Sequence, residues 1–356
     1  MKIAILLAGS RAGSDFFASL LDGHSQICQF PGDFVYDQKL KKIFNLDPNL
    51  IPDEFIKLFP HFFNSRLNKR ERHDKLGKNK NEFYVVDELK FKKRFISNLK
   101  LKKASKINLL LNLHESYSFS SNDRGKKKLI LINVHLIEWA KIFFRDFRSK
   151  EIEIIYTTRY PLSGLSSPLK DWLEYKPKAV GPDFMYYHIE LVLNGINMIT
   201  KFKKKIHVVK LENLHQENVK TMKNFCRAFN LKYENSLKYS TFFKKKWWGD
   251  KSSKKYLDGV NKKFKISYEK SYFYKRDVSN IEQILHKELK VLKYPRINKY
   301  PEKKSIFLPM KIELIILINL FKFFKIKSLI KFFYYFLKRI FLMYQLKSQK
   351  FLVTKI

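Results

Sequence analysis

The stretch IAILLAGSRAGSDFF (residues 3–17) sets a short apolar run against a turn of small residues. Ile3 to Leu7 is closed by Gly9, the pattern of a buried strand. From Ser14 onward, Phe16, Phe17, Leu20 and Leu21 recur at helical spacing, so the unit is strand, small-residue turn, helix. Such a turn aims backbone N–H groups and a helix N-terminus at one point, which favours an anion. The alternation returns downstream. Leu129–Val134 reads as a strand and Ile137–Phe144 as the helix after it. EIEIIYTT gives another strand, ending near Thr157 before a polar turn and a helix, and His207–Leu211 one more before the helix VKTMKNFCRAF. The expected fold class is α/β: a P-loop-like parallel sheet flanked by helices, with ligands at the carboxyl ends of the strands.

A chain of 356 residues, 45% hydrophobic and 16% aromatic, can bury a large core. Cys28 and Cys226 provide neither a disulfide framework nor a metal quartet, which suits a reducing compartment. Met1 and Lys2 run straight into the first strand without the look of a signal peptide, so the expected location is cytoplasmic. The formal net charge is +39. Such a charge fits nucleic acid, an anionic membrane or a polyanionic substrate, or simply a Lys-rich bias. The lysines are dispersed and no nucleic-acid module accompanies them, so no nucleic-acid partner is expected.

Positions 38–125 carry no catalytic pattern and read as an insertion, lid or acceptor region, with RLNKRERHDKLGKNKNEF as a charged loop. A catalytic domain is expected over 1–304 and a basic, aromatic, helical tail over 305–356. Only eight uncharged residues separate Glu313 from Lys322, and six separate Lys331 from Lys338. A spanning helix wants about 20 mostly apolar residues, so the tail is not read as transmembrane. The lysines at 322, 325, 327, 331 and 338 do not gather cleanly on one helical face. Interfacial docking of 305–346 on an anionic leaflet is nonetheless the expectation, peripheral to the membrane. The rival is packing on the catalytic domain or self-association. A chain ended near Lys304 is expected to stay folded.

A Walker loop would need Gly-Lys-Ser/Thr after four intervening residues; Gly13 and Ser14 stand here without the lysine, which disfavours a nucleotide kinase. RAGSDFFASLLDGHSQI instead offers a basic residue (Arg11), Ala12, a glycine (Gly13), a hydroxyl (Ser14), Asp15, an aromatic (Phe16) and LLDGH ending at His24. YTTRYPLSGLSS places Arg159 at a strand end, Pro161 in the turn and Ser167 eight residues after the arginine. An arginine forks onto phosphate oxygens, and a hydroxyl in the first turn of the next helix would complete the cradle. VVKLENLHQENVKTMKNFCRAFNL and STFFKKKWWGDKSS follow in order. Together these four elements, over about positions 3–255, resemble the sulfotransferases that use 3′-phosphoadenosine 5′-phosphosulfate (PAPS). Asp15 departs from that family's loop, and an acid beside a phosphate must point away or weaken binding.

The resemblance implies sulfuryl transfer from PAPS to an acceptor hydroxyl of a glycan, lipid or small molecule. It places Arg11 to Phe16 at the 5′-phosphosulfate and Arg159 and Ser167 at the 3′-phosphate. Lys244 to Lys246 would reach the nucleotide, with Trp247 or Trp248 as a wall; core packing of the tryptophans is the alternative. Glu212 is read as a structural salt bridge, His24 as a helix cap and His207 as a strand residue. Arg11 is the cation for the leaving oxygen. For the base, NVHLIEWAKIF resembles the family's histidine segment, though Ile137 replaces its proline, and His135 is preferred to Asp33 in QFPGDF. Histidine titrates near working pH, and no metal is required. The alternatives are a non-enzymatic basic membrane or nucleic-acid binder and a P-loop-like small-molecule kinase.

Overall fold

The apolar run at the start is strand β1 (Lys2–Ala8), buried at every position after Lys2. A computed structural model describes residues 1–100, 105–123, 125–147, 151–251, 256–297, 306–323 and 327–348. After β1 come α1 (Ser14–Leu21), β2 (Ile27–Gln29), α2 (Gln38–Ile43), α3 (Ile51–Leu58), α4 (Pro60–Phe63), α5 (Glu88–Leu99) and α6 (Lys106–Ser120). β3 (Leu129–His135), α7 (Ile137–Asp146), β4 (Ile152–Thr158), α8 (Pro161–Tyr175), α9 (Pro182–Thr200) and β5 (Ile206–Lys210) continue the alternation. The rest is α10 (Leu211–Gln216), α11 (Asn218–Phe229), the short strands β6 (Thr241–Phe242) and β7 (Lys245–Lys246), then α12 (Lys275–Ile284), α13 (His286–Val291), α14 (Lys311–Lys322) and α15 (Lys327–Ser348).

The main sheet has the order β2-β3-β1-β4-β5, with parallel pairing at β2–β3, β3–β1 and β1–β4. It is the α/β sheet expected from the sequence. β3, α7, β4 and β5 fall within a residue or two of their expected bounds. The chain divides into two compact units. The first holds residues 1–8, 13–157 and 204–264; the second holds 9–12, 158–203 and 265–356.

In the first unit, Ala4, Leu6, Phe17, Leu20, Leu131, Ile155, Met222 and Phe225 form one core around the sheet and α1. The described residues of 38–125, expected as an insertion, lid or acceptor region, form a helical layer of this unit, packed largely by aromatic rings. Phe30 stacks on Phe62 at 5.0 Å, and Phe62 on Phe59 at 4.8 Å. Phe30 also meets the rings of His114 and Tyr117 on α6. The helices start where their caps sit: Asp37 accepts from Lys39 and Leu40 N–H, Asp87 from Lys90, and Ser105 from Asn108. The loop read as merely charged buries Arg72, His73 and Leu76.

In the second unit, α14 and α15 are core elements rather than a separate tail. Ile312, Ile316, Leu320, Phe332, Leu342 and Met343 bury with Leu165 of α8, Ile189 of α9 and Val278 of α12. Arg339 is fully buried, and its guanidinium binds Glu313 at 2.9 and 3.0 Å and the Leu308 carbonyl at 3.1 Å. These helices fill the unit's core, which argues against the expectation that a chain ended near Lys304 stays folded. The 304/305 boundary itself lies outside the described residues.

Candidate functional site

β3 is apolar from Leu129 to Val134 except at Asn133, and a polar side chain inside a sheet needs partners. Asn133 Nδ2 donates to Asp33 Oδ1 at 3.0 Å and reaches Asp15 Oδ1 at 3.4 Å. Just beyond it the register slips: Leu6 pairs with Asn133, but Leu7 pairs with His135. Leu136 N–H then bonds the Val134 carbonyl at 2.7 Å, closing a γ-turn around His135, whose φ is 64°. Positive φ is uncommon outside glycine, and a γ-turn of this hand is strained. Bulge and turn together re-aim the imidazole at the carboxyl edge of the sheet.

The ring meets a compact polar cluster. His135 Nδ1 lies 3.1 Å from Ser14 Oγ, 3.4 Å from Asp33 Oδ1 and 3.9 Å from Asp15 Oδ1. Nε2 makes no hydrogen bond among the described residues. The His135, Asp33 and Asp15 side chains keep 30%, 24% and 23% of their surface exposed, so a substrate can still reach them. Burial opposes charge on His135, but the Asp33 carboxylate, its hydrogen bond, and the Asp15 and Glu71 carboxylates raise the pKa to about 9. Burial would raise Asp33, yet His135, Arg70 and His61 hold it below its ordinary value. Asp15 rises to about 6 through burial and the Asp33 charge, against the pull of His135. Glu71 stands well above its ordinary value for the same reasons, burial first and then Asp15 and Asp33. Asp15 therefore points into this cluster. The ligand atoms of Asp15, Asp33 and His135 all lie within 4.8 Å of one another, close enough to share a divalent cation. His135 already balances one of the two carboxylates when it is protonated.

α1 begins beside this cluster. Gly13 takes φ 75° and ψ 37°, and no side chain caps the helix. The first-turn N–H groups thus keep the positive end of the helix open to an anion. Phe16 stacks on His215 at 4.5 Å, a packing contact. Trp247 is buried with Leu76 and Phe242, and its indole donates to the Glu71 carbonyl at 2.6 Å. It holds the Glu71 loop. Lys246 pairs with Asp258 and lies 3.9 Å over the Trp248 ring.

The second unit contains the remaining sequence candidates. Arg159 follows β4 and donates from Nη1 to the Arg11 carbonyl at 3.2 Å. Arg11 has φ 49°, and its guanidinium lies 3.6 Å from Asp171. Ser10 Oγ donates to the Gly164 carbonyl at 2.6 Å and lies 2.8 Å from His188 Nδ1. Burial, then the charge of Arg11, push His188 down to about 3, so it stays neutral. Ser167 stands seventh in α8, in its second turn rather than the first. The first-turn hydroxyl is Ser163, which donates to the Ser267 carbonyl.

Sequence reasoning missed Asn133, Glu71, Asp171 and His188. Asn133 alone carried a signal, as the one polar residue within an apolar strand. The chain matches no known family model and no curated protein. Among solved structures it is similar to the sulfotransferase domain from the Synechococcus PCC 7002 olefin synthase. That likeness has 13% identity, covers 67% of this chain and 76% of that one, and has a TM-score of 0.35. It is also similar to the sulfotransferase domain from the curacin biosynthetic pathway, at 15% identity, 67% and 77% coverage and a TM-score of 0.36.

Proposed function

We propose that the chain moves a sulfuryl group from PAPS to an acceptor hydroxyl, with His135 as general base. The observation that carries this reading is the His135 ring. Asp33 and Ser14 hold Nδ1, Nε2 makes no hydrogen bond among the described residues, and the whole lies beside the uncapped start of α1. An acid on one imidazole nitrogen fixes the tautomer and leaves the other nitrogen to take a proton. The acceptor oxygen attacks sulfur while its proton passes to Nε2. The bond from sulfur to the bridging oxygen breaks, and adenosine 3′,5′-bisphosphate leaves. The first-turn N–H groups of α1 stabilise charge developing on the 5′-phosphate. Asp15, with its raised pKa, gives up its charge more readily than an ordinary carboxylate when an anion docks there. In the second unit Arg159 is assigned to the 3′-phosphate, as its motif implies.

Calorimetry with adenosine 3′,5′-bisphosphate tests the donor. Binding is expected, with ATP much weaker, and Arg159→Ala should cost about 2–4 kcal/mol if a charge-assisted fork is lost. A screen of hydroxyl acceptors with sulfate-labelled PAPS, with and without EDTA, tests the reaction; chelation should leave turnover unchanged. ATP binding as tight as the bisphosphate, or a reaction abolished by EDTA, would replace this reading.

A further inference from the structure

α15 has two faces, and only one is covered. Phe332, Arg339, Leu342, Met343 and Leu346 are buried in the core of the second unit. Ile330, Phe333, Tyr334, Leu337, Phe341 and Tyr344 are between 58% and 79% exposed. At about 100° per residue these six share one arc roughly 100° wide, running the length of the helix. Lys327, Lys331 and Lys338 are exposed too. These three fall on a single row along one flank of that arc; of the other two lysines in the expectation, Lys322 ends α14 and Lys325 lies outside the described residues. Lys338 also rests 4.7 Å from the Tyr186 ring centroid, so its stem lies along apolar surface. The one acid of α14 and α15 is Glu313, buried against Arg339. Every exposed charge on the described part of these helices is therefore positive.

We propose that this face of α15 docks on an anionic lipid leaflet. The aromatic arc would enter the acyl boundary, and the lysine row would meet the headgroups. The charge pattern selects this occupant. Paired antiparallel through this face, a second copy would set the lysine row against its own copy, with no exposed acid on these helices to answer it. A bilayer carrying phosphatidylserine supplies both the apolar layer and the negative surface. No helix among the described residues is long and apolar enough to cross a membrane, so the contact lies along the surface. This inference does not depend on the donor nucleotide.

The experiment is co-sedimentation of the full chain with two kinds of vesicle, one of phosphatidylcholine alone and one containing a quarter phosphatidylserine. Binding to the anionic vesicles is expected. The combined Lys327→Gln, Lys331→Gln and Lys338→Gln variant should lower partitioning about a hundredfold, from a contribution of about 1 kcal/mol per lysine. Ile330→Ser, Phe333→Ser and Phe341→Ser together should abolish it while the melting temperature holds, since all three side chains face outward. Sedimentation velocity of the same variants monitors self-association. The proposal is overturned if the wild-type chain ignores anionic vesicles, binds neutral ones equally well, or binds undiminished with the lysines replaced. It is also overturned if the serine variant merely turns a dimer into a monomer.

Discussion

In the proposed reaction His135 carries more of the chemistry than any other side chain, and its surroundings make a sharp demand on pH. A base must be neutral to accept a proton, and with a pKa of about 9 only about one ring in a hundred is neutral at pH 7. Turnover should therefore rise roughly tenfold per pH unit until it levels near 9. Asp33→Asn removes both the charge and the hydrogen bond that raise this pKa, so the rising limb should move to lower pH. His135→Ala should lower turnover by about 10²–10⁴ while affinity for adenosine bisphosphate stays near wild type. A pH–rate profile of the three proteins checks both outcomes. A limb that stays in place in Asp33→Asn would assign the titration to another group. The sequence marked Ser14, Asp33 and His135 individually: His135 because it directly follows an apolar strand, Ser14 and Asp33 through the resemblance of their segments. It did not join them, since the γ-turn that aims the ring depends on a register slip that no residue type announces. Glu71 lay wholly outside reach, being one acid within a stretch of alternating charges.

The turn between β1 and α1 depends on Gly13. Its φ of 75° lies where a side chain is strained, and a Cβ there would sit 2.6 Å from Leu211 Cδ1. Leu211 can yield, but the backbone cannot, and left-handed conformation costs a non-glycine residue roughly 1–2 kcal/mol. Gly13→Ala should lower the melting temperature by a few degrees and weaken nucleotide binding, as differential scanning calorimetry and titration would register. Helices and strands of the sheet were readable because their apolar residues repeat with periods of 3.6 and 2 or form short closed runs. The helical layer over 38–125 was not, because rings such as Phe55, Phe59, Phe62 and Phe63 serve several neighbours at once and blur the period. The core-facing side of α15 was not legible for a related reason. A helix apolar on two opposite faces shows no amphipathic stripe, and only the packing of Phe332 and Leu342 separates inside from outside.

The two units differ in how their cores are completed. The second unit draws Ile312, Ile316, Leu320, Phe332, Leu342, Met343 and Leu346 from its last two helices. At roughly 1.5–3 kcal/mol for each buried side chain, these contribute on the order of 10–20 kcal/mol, comparable to the whole stability of a domain. A chain ended at residue 297 should thus lose the second unit. Limited proteolysis should cut within 158–203, and the near-ultraviolet dichroism of that part should vanish; an unchanged digest would show that α14 and α15 are dispensable. Arg339→Met, which strands Glu313, should cost about 3–5 kcal/mol by the same assay. The discontinuous layout of the units also sets a schedule for synthesis. The first unit has all its residues once Phe264 has left the ribosome. α8 and α9 emerge well before that, yet the core they share is completed only when Ile316, Phe332 and Leu342 of the last two helices follow. Until then part of the apolar surface around Met185 and Ile189 should stay open in a nascent chain. Slow elongation beyond position 264 lengthens that exposure, and a holdase chaperone would find its substrate there.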